Sequence, residues 1–139
     1  MIVLDTNVVS EMMRSKPELK VLNWLNSMSR ASLFISVLTV VELKFGSALL
    51  TDGTDKQKLN AKIVDVLSSQ FAGRILVFDE AAADICANLM AMKKAHTPVV
   101  KVIDLQIAAT AMTKGFAVAT RDVKDFQHDA LRVINPWTD

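Results

Sequence analysis

The chain alternates short apolar runs with longer stretches in which apolar residues recur three and four positions apart. The short runs predict strands at Ile2 to Leu4, Leu33 to Ser36, Arg74 to Phe78 and Phe116 to Thr120, with Arg132 to Ile134 as a fifth at a sheet edge. The longer stretches predict helices. Ser15-Lys16-Pro17 opens one carrying Leu19, Val21, Leu22, Trp24 and Leu25, with the proline near the first turn, where its missing N–H costs little. Thr39 is placed to cap a helix to about Leu50, and the loop Thr51-Asp52-Gly53-Thr54-Asp55 precedes another from about Lys56 to Phe71, ended by Gly73. Asp79 caps a helix to about Lys94. A last one runs from near Asp104 to Lys114 and stops at Gly115.

Strands separated by helices require crossover connections, hence a mostly parallel sheet covered by helices on both faces. No internal repeat, low-complexity tract or linker interrupts this alternation, so residues 1–139 read as a single α/β domain. With 51% apolar residues the chain can bury a substantial core. No apolar run approaches the roughly 18 residues that a membrane helix needs. Met-Ile-Val-Leu-Asp lacks the basic region of a signal peptide, and a lone Cys86 makes no internal disulfide. A cytoplasmic protein with no membrane partner is expected.

Net charge is only +1, too little to hold a nucleic acid by bulk attraction. With four candidate site carboxylates set aside, however, the remainder of the chain carries +5. Bound divalent ions would restore a positive working surface. Charge permits a nucleic-acid substrate without pointing to one.

Those four are Asp5, Glu42, Asp104 and Asp122. Asp5 and Asp122 follow strands at their carboxyl ends, where open α/β sheets form their ligand crevice. Glu42 and Asp104 lie near helix starts among strongly apolar neighbours: Val40, Val41 and Leu43, and Ile103, Leu105 and Ile107. Each acid also has an ordinary reading. Asp5 and Asp104 can cap helices, Glu42 can favour a positive helix terminus, and Asp122 can serve a turn. Glu42 and Asp104 resist that reading most, because an acid in an apolar stripe is costly unless a charge meets it, and Lys and Arg are scarce beside them. Four oxygen donors without a Cys or His pattern suit Mg²⁺ or Mn²⁺, not zinc. Such ions activate water and clamp the oxygens of a phosphodiester.

Ile2-Val3-Leu4-Asp5-Thr6-Asn7, Val41-Glu42-Leu43 with Gly46, Asp104-Leu105-Gln106-Ile107-Ala108-Ala109-Thr110-Ala111, and Thr120-Arg121-Asp122 with Asp125-Phe126 together resemble PIN-domain ribonucleases, and most of all the VapC/FitB-type toxins of type II toxin–antitoxin pairs. The likeness spans nearly the whole chain, with four motifs in the family's order. It implies a three-layer α/β/α sandwich and Mg²⁺- or Mn²⁺-dependent RNA cleavage. Asp5, Glu42, Asp104 and Asp122 match the acidic, metal-holding positions, and Thr120 the helper that holds a carboxylate or metal water. Asn7 and Arg121 match substrate-side positions. The resemblance also implies a homodimer and an antitoxin carrying a DNA-binding domain. Two features depart from the pattern: His96-Thr97-Pro98 stands where relatives often have glycine, and Asp122 where many have Asn.

Arg14, Lys44, Arg121 and Lys124 are the expected RNA grip. Val8, Val9, Met12 and Met13, with the helix through Trp24 and Met28, are the expected antitoxin groove wall, core packing being the alternative. His96 and His128 read as solvent or turn histidines. No G-x-G-x-x-G or Walker A pattern supports a nucleotide cofactor. Competing functions are a haloacid-dehalogenase-type phosphatase, whose nucleophilic Asp also follows the first strand but which wants an Asp where Asn7 stands, and a silent PIN-like module that only binds RNA or protein.

Overall fold

The computed structural model describes residues 1–139, built on one parallel sheet of five strands in the order β3-β2-β1-β4-β5. The strands are β1 (Ile2–Leu4), β2 (Leu33–Ser36), β3 (Ile75–Leu76), β4 (Ala117–Ala119) and β5 (Val133–Ile134). Central β1 pairs with β2 through Ile2↔Leu33 and Val3↔Phe34, and with β4 through Val3↔Val118 and Leu4↔Ala119. Successive connections run outward to one side through β2 and β3, then return to β4 and β5 on the other. The strand order therefore reverses between β1 and β4. A crevice opens there at the carboxyl ends, because the helices after the two strands depart to opposite faces.

The two-residue strand period feeds two cores. Val3, Phe34 and Val118 face α5 (Glu80–Lys94), α6 (Val102–Lys114) and α7 (Val123–Phe126). Leu4, Leu33, Ile35 and Ala119 face α1 (Thr6–Met13), α2 (Leu19–Ser27), α3 (Val37–Ala48) and α4 (Thr54–Asp65). This is the three-layer sandwich expected. Helix α6 is buried on most of its circumference, and its Ala108, Ala109 and Ala111 let it pack closely against α5 and the sheet. No helix is long and apolar enough to cross a membrane.

Several boundaries differ from the sequence pattern for local reasons. Helix α3 starts at Val37, because Ser36 is the cap: its Oγ accepts from the Thr39 N–H at 3.3 Å, and Thr39 is fully buried one turn inside. Pro17 precedes α2 rather than entering its first turn, with Glu18 at the cap position. The helix expected to reach Phe71 is α4 followed by a π-helical turn over Val66–Gln70. Gly115 stops α6 as expected, in the left-handed conformation at φ 67° that favours glycine. Asp79 also caps as expected, accepting from the Ala82 N–H at 2.9 Å.

Candidate active site

Asp5 leaves β1 at the strand-order reversal, and its N–H still donates to the Ala119 carbonyl at 2.9 Å. The side chain is 4% exposed and both oxygens are engaged. Oδ1 accepts from the Thr6 N–H at 2.7 Å, capping α1, and Oδ2 accepts from the Thr120 hydroxyl at 2.7 Å. The capping reading and the site reading of Asp5 are thus both true of one carboxylate. Thr120, fully buried at the end of β4, is a hub: its Oγ1 also accepts from the Asp122 N–H at 3.0 Å and from Asn7 Nδ2 at 3.4 Å. Asn7 Nδ2 donates in turn to Asp122 Oδ2 at 3.0 Å.

Glu42 projects from the second turn of α3. Its Oε1 accepts from the Thr6 hydroxyl at 2.6 Å, and that hydroxyl lies 3.1 Å from Thr39 Oγ1. Asp104, the third residue of α6, does not cap its helix; Lys101 holds that position. Asp5, Asn7, Glu42, Asp104, Arg121 and Asp122 all line one open cavity of ≈ 450 Å³, together with Thr6, Ser10, Glu11 and Arg14. None of its lining residues is hydrophobic. The structure therefore brings every candidate site residue to one place, Thr120 from just beneath it.

Burial of the acids, and secondarily their crowding, shows in their proton affinity. Burial, as the largest cause, pushes Asp5 up to about 6, with Glu42 and Asp122 adding repulsion while the hydrogen bonds from Thr120 and Thr6 oppose. Burial again leads for Asp104, raised to about 7, with repulsion from Asp5, Asp125 and Glu42 added and Lys101 opposing. The side chains as they stand bring no three acidic groups onto a single ligating point. They surround a polar space instead. The donor set still fits a hard divalent cation: all oxygen, mutually repelling, and without a lysine or arginine at the centre.

Three polar residues in the cavity escaped the sequence reading: Thr6, Ser10 and Glu11. Thr6 orients Glu42. Glu11, 3% exposed, pairs with Arg14 at 3.1 Å and with Arg121 at 3.5 Å. A signal for Glu11 exists in the sequence: Asn7, Ser10, Glu11 and Arg14 recur at helical spacing, a polar stripe on one face of α1. Of the expected RNA grip, Arg14 and Arg121 line the cavity. Lys124 lines a neighbouring one of ≈ 440 Å³ that also includes Arg121 and Asp122, while Lys44 is exposed on α3 and lines neither. Of the expected groove wall, Val8 and Val9 are wholly buried core, because they point from α1 into the sheet. Met12, Met13, Trp24 and Met28 are half-buried at its margin. His96 and His128 border a separate cavity of ≈ 210 Å³ between α5, α6 and α7 that contains none of the four acids, and His128 Nδ1 accepts from the Ala130 N–H at 3.0 Å.

A parallel sandwich with acids gathered at its strand-order reversal defines a class, and the chain belongs to it: residues 2–130 match the PIN-domain family. Its relatives include Toxin FitB of Neisseria gonorrhoeae (strain ATCC 700825 / FA 1090), 42% identical over 139 residues and matched over 100% of both chains. VapC ribonuclease Y4jK of Sinorhizobium fredii (strain NBRC 101917 / NGR234) is 41% identical over 137 residues, covering 99% of this chain and 98% of that protein. Among solved structures, FitAB bound to an IR36 DNA fragment matches with a TM-score of 0.88 at 41% identity, covering 99% of this chain and 96% of that one. The resemblance to VapC/FitB-type toxins read from the four motifs is borne out.

Proposed function

We propose that this chain is a Mg²⁺-dependent endoribonuclease, Mn²⁺ substituting, that acts as the toxin of a toxin–antitoxin pair. The observation that carries the reading is the single cavity without hydrophobic lining that holds Asp5, Glu42, Asp104 and Asp122 beside Arg14 and Arg121. The four carboxylates would hold the metal, which when bound supplies Lewis-acid activation of water and charge neutralisation at the phosphodiester. The chain's own residues do the rest. Thr120 and the Thr6 N–H fix both oxygens of Asp5, so that it presents one orientation to the cavity. Thr6 holds Glu42 through one oxygen, and Asn7 holds Asp122 through one. Arg14 and Arg121, both more than half exposed, offer guanidinium donors to substrate phosphates.

The phosphatase reading loses its second acid to Asn7, whose amide is engaged by Asp122. A silent module would have no use for four crowded acids. The decisive experiment is cleavage of a defined single-stranded RNA by the purified chain in Mg²⁺, Mn²⁺ and EDTA, with Asp104→Asn as control. Cleavage that persists in EDTA overturns the metal reading, and a phosphoaspartate trapped on Asp5 would favour the phosphatase.

FitB-like and VapC-like relatives occur in complexes named FitAB and VapBC, some with DNA. By that likeness we assign this chain an antitoxin with a DNA-binding domain, whose tail covers the crevice. A cavity of ≈ 260 Å³ that shares Thr6, Ser10, Arg14 and Glu42 with the site, and continues over Met13, Leu43 and Leu59, is the groove such a tail would enter. The homodimer implied by the same likeness has an apolar surface available in Val41, Phe45 and Leu49, exposed once per turn along α3.

A further inference from the structure

Glu11 is a buried carboxylate that contributes nothing to the acid cluster yet sits in the same cavity. Its partners explain its burial. Arg14 Nη1 donates to both of its oxygens, at 3.4 and 3.1 Å, and Arg121 Nη2 donates to Oε1 at 3.5 Å. A buried charge without partners is costly, so this carboxylate and the two guanidiniums hold one another in place. Arg121 is fixed from another side as well, its guanidinium carbon lying 4.1 Å from the centre of the Trp137 ring. The indole N–H of Trp137 has no acceptor, so stacking, packing and the bond from the Trp137 N–H to Asn135 Oδ1 at 3.0 Å keep the ring there.

The pairings consume few of the donors that the two arginines carry. Each guanidinium has five N–H groups, and the side chains are 65% and 53% exposed. Without Glu11, two flexible arginines beside the four site acids would collapse onto the nearest carboxylates and quench the metal-holding set. Glu11 gives them a different anchor on the wall of the cavity. Their free edges then face the space that a substrate must enter.

We propose that Glu11, together with Trp137 stacked on Arg121, is a positioning residue that gathers Arg14 and Arg121 on one wall of the cavity as a two-armed clamp for the phosphates of a single RNA strand. This deepens the nuclease reading and rests on it. The clamp also answers the charge problem: it supplies local positive charge where the net charge of the chain, only +1, supplies little.

The sign of the effect makes the test sharp. Glu11→Gln removes a negative charge from a polyanion's binding site, so simple electrostatics predicts tighter RNA binding. The clamp predicts the opposite. Expected for Glu11→Gln are a KM for a labelled single-stranded RNA raised about tenfold with kcat within about twofold, the pattern of lost uniform binding. In the cleavage-deficient Asp104→Asn background, fluorescence anisotropy with the same RNA should show a Kd weakened about tenfold and a salt slope about one to two units shallower. Adding Glu11→Gln to the Arg14→Ala, Arg121→Ala pair should change nothing further, because it acts through those residues. Trp137→Leu, which leaves Glu11 in place, should give a smaller loss of the same kind and stands in if Glu11→Gln does not fold. Equal or tighter RNA binding by Glu11→Gln, or by a folded Trp137→Leu in its stead, overturns the clamp while leaving the nuclease reading intact. An unmodified chain that neither cleaves nor binds RNA overturns the nuclease reading, and the clamp with it.

Discussion

Thr120 donates its hydroxyl hydrogen to Asp5 Oδ2 at 2.7 Å, tying the ends of two neighbouring strands across 115 residues of sequence. The bond favours ionised Asp5 against the burial that disfavours it. Thr120→Val keeps the shape and removes the donor, together with the acceptor used by Asp122 and Asn7. The pKa of Asp5 should then climb further above about 6. Mn²⁺ affinity at pH 7, followed by calorimetry or electron paramagnetic resonance, should fall about tenfold to a hundredfold, as is usual when a ligand's supporting hydrogen bond is lost. An unchanged Mn²⁺ titration would show that Thr120 serves only the fold.

The raised pKa values also set a pH dependence. A carboxyl whose folded pKa lies above its unfolded value gives stability that is fully present below about 4 and is lost as pH rises through the folded value. For Asp5 that window closes near 6, and for Asp104 near 7. Without metal, the parent should therefore lose Tm relative to Asp5→Asn between pH 4 and 7, reaching a deficit of about 5–10 °C at pH 8. Mg²⁺ should reverse the deficit at pH 8 and do little at pH 5, where protons occupy the same oxygens. Parallel Tm profiles for the parent and Asp5→Asn would show that burial and repulsion do not raise Asp5 in the folded chain.

The four acids should not weigh equally. Asp5 is buried, Glu42 and Asp104 are partly buried, and Asp122 is exposed at the rim, held by Asn7. Asp5→Ala, Glu42→Ala and Asp104→Ala should each reduce RNA cleavage by at least about a thousandfold, the scale expected when a group acting on the developing charge is lost. Asp122→Asn keeps an oxygen and should cost least, within about tenfold by the same measure. Single-turnover cleavage of all four variants ranks them, and an Asp122→Asn protein as inactive as Asp5→Ala would make the rim carboxylate a full ligand.

How much of this was legible in the sequence depended on whether the signal was local. Central β1 and β4 were readable because they are apolar runs with almost no exposure, whereas β3 and β5 are two-residue, half-buried edge strands; Asp5 stood out directly after its run and Asp122 three residues beyond the end of β4. Glu42 and Asp104 stood out as charges in apolar stripes. The Ser36 cap was misplaced onto Thr39 because both hydroxyls fall within one turn, and only the fold decides which one faces the helix start. Val8 and Val9 read equally well as surface or core until α1 had a direction, since a helix of eight residues shows barely two turns of pattern. The polar stripe of α1 set Glu11 beside Arg14, but the contacts of Glu11 and Trp137 with Arg121 were hidden, since Glu11 lies far from Arg121 in sequence and no spacing encodes either contact.

The antitoxin groove gives the last prediction. Met13 is half-buried on α1 and lines the ≈ 260 Å³ cavity that runs from Glu42 over Gly46 to Leu59 and Ile63. Val8 and Val9, by contrast, are fully buried. A tail that orders in this cavity would place apolar residues beside Met13 and Leu59, and could extend a basic side chain toward Glu42 at its other end, where partial burial strengthens the attraction. Met13→Glu should therefore weaken antitoxin binding by about a hundredfold, the effect of a charge placed in an apolar contact. It should leave RNA cleavage within about twofold, since Met13 is outside the carboxylate cavity. Val9→Glu should instead unfold the chain, because its charge would enter the sheet's core unpaired. Calorimetric titration of each variant with the antitoxin tail, beside circular dichroism and the cleavage assay, separates groove from core. A folded, active Met13→Glu protein that binds the tail with parental affinity would move the groove to the exposed face of α3.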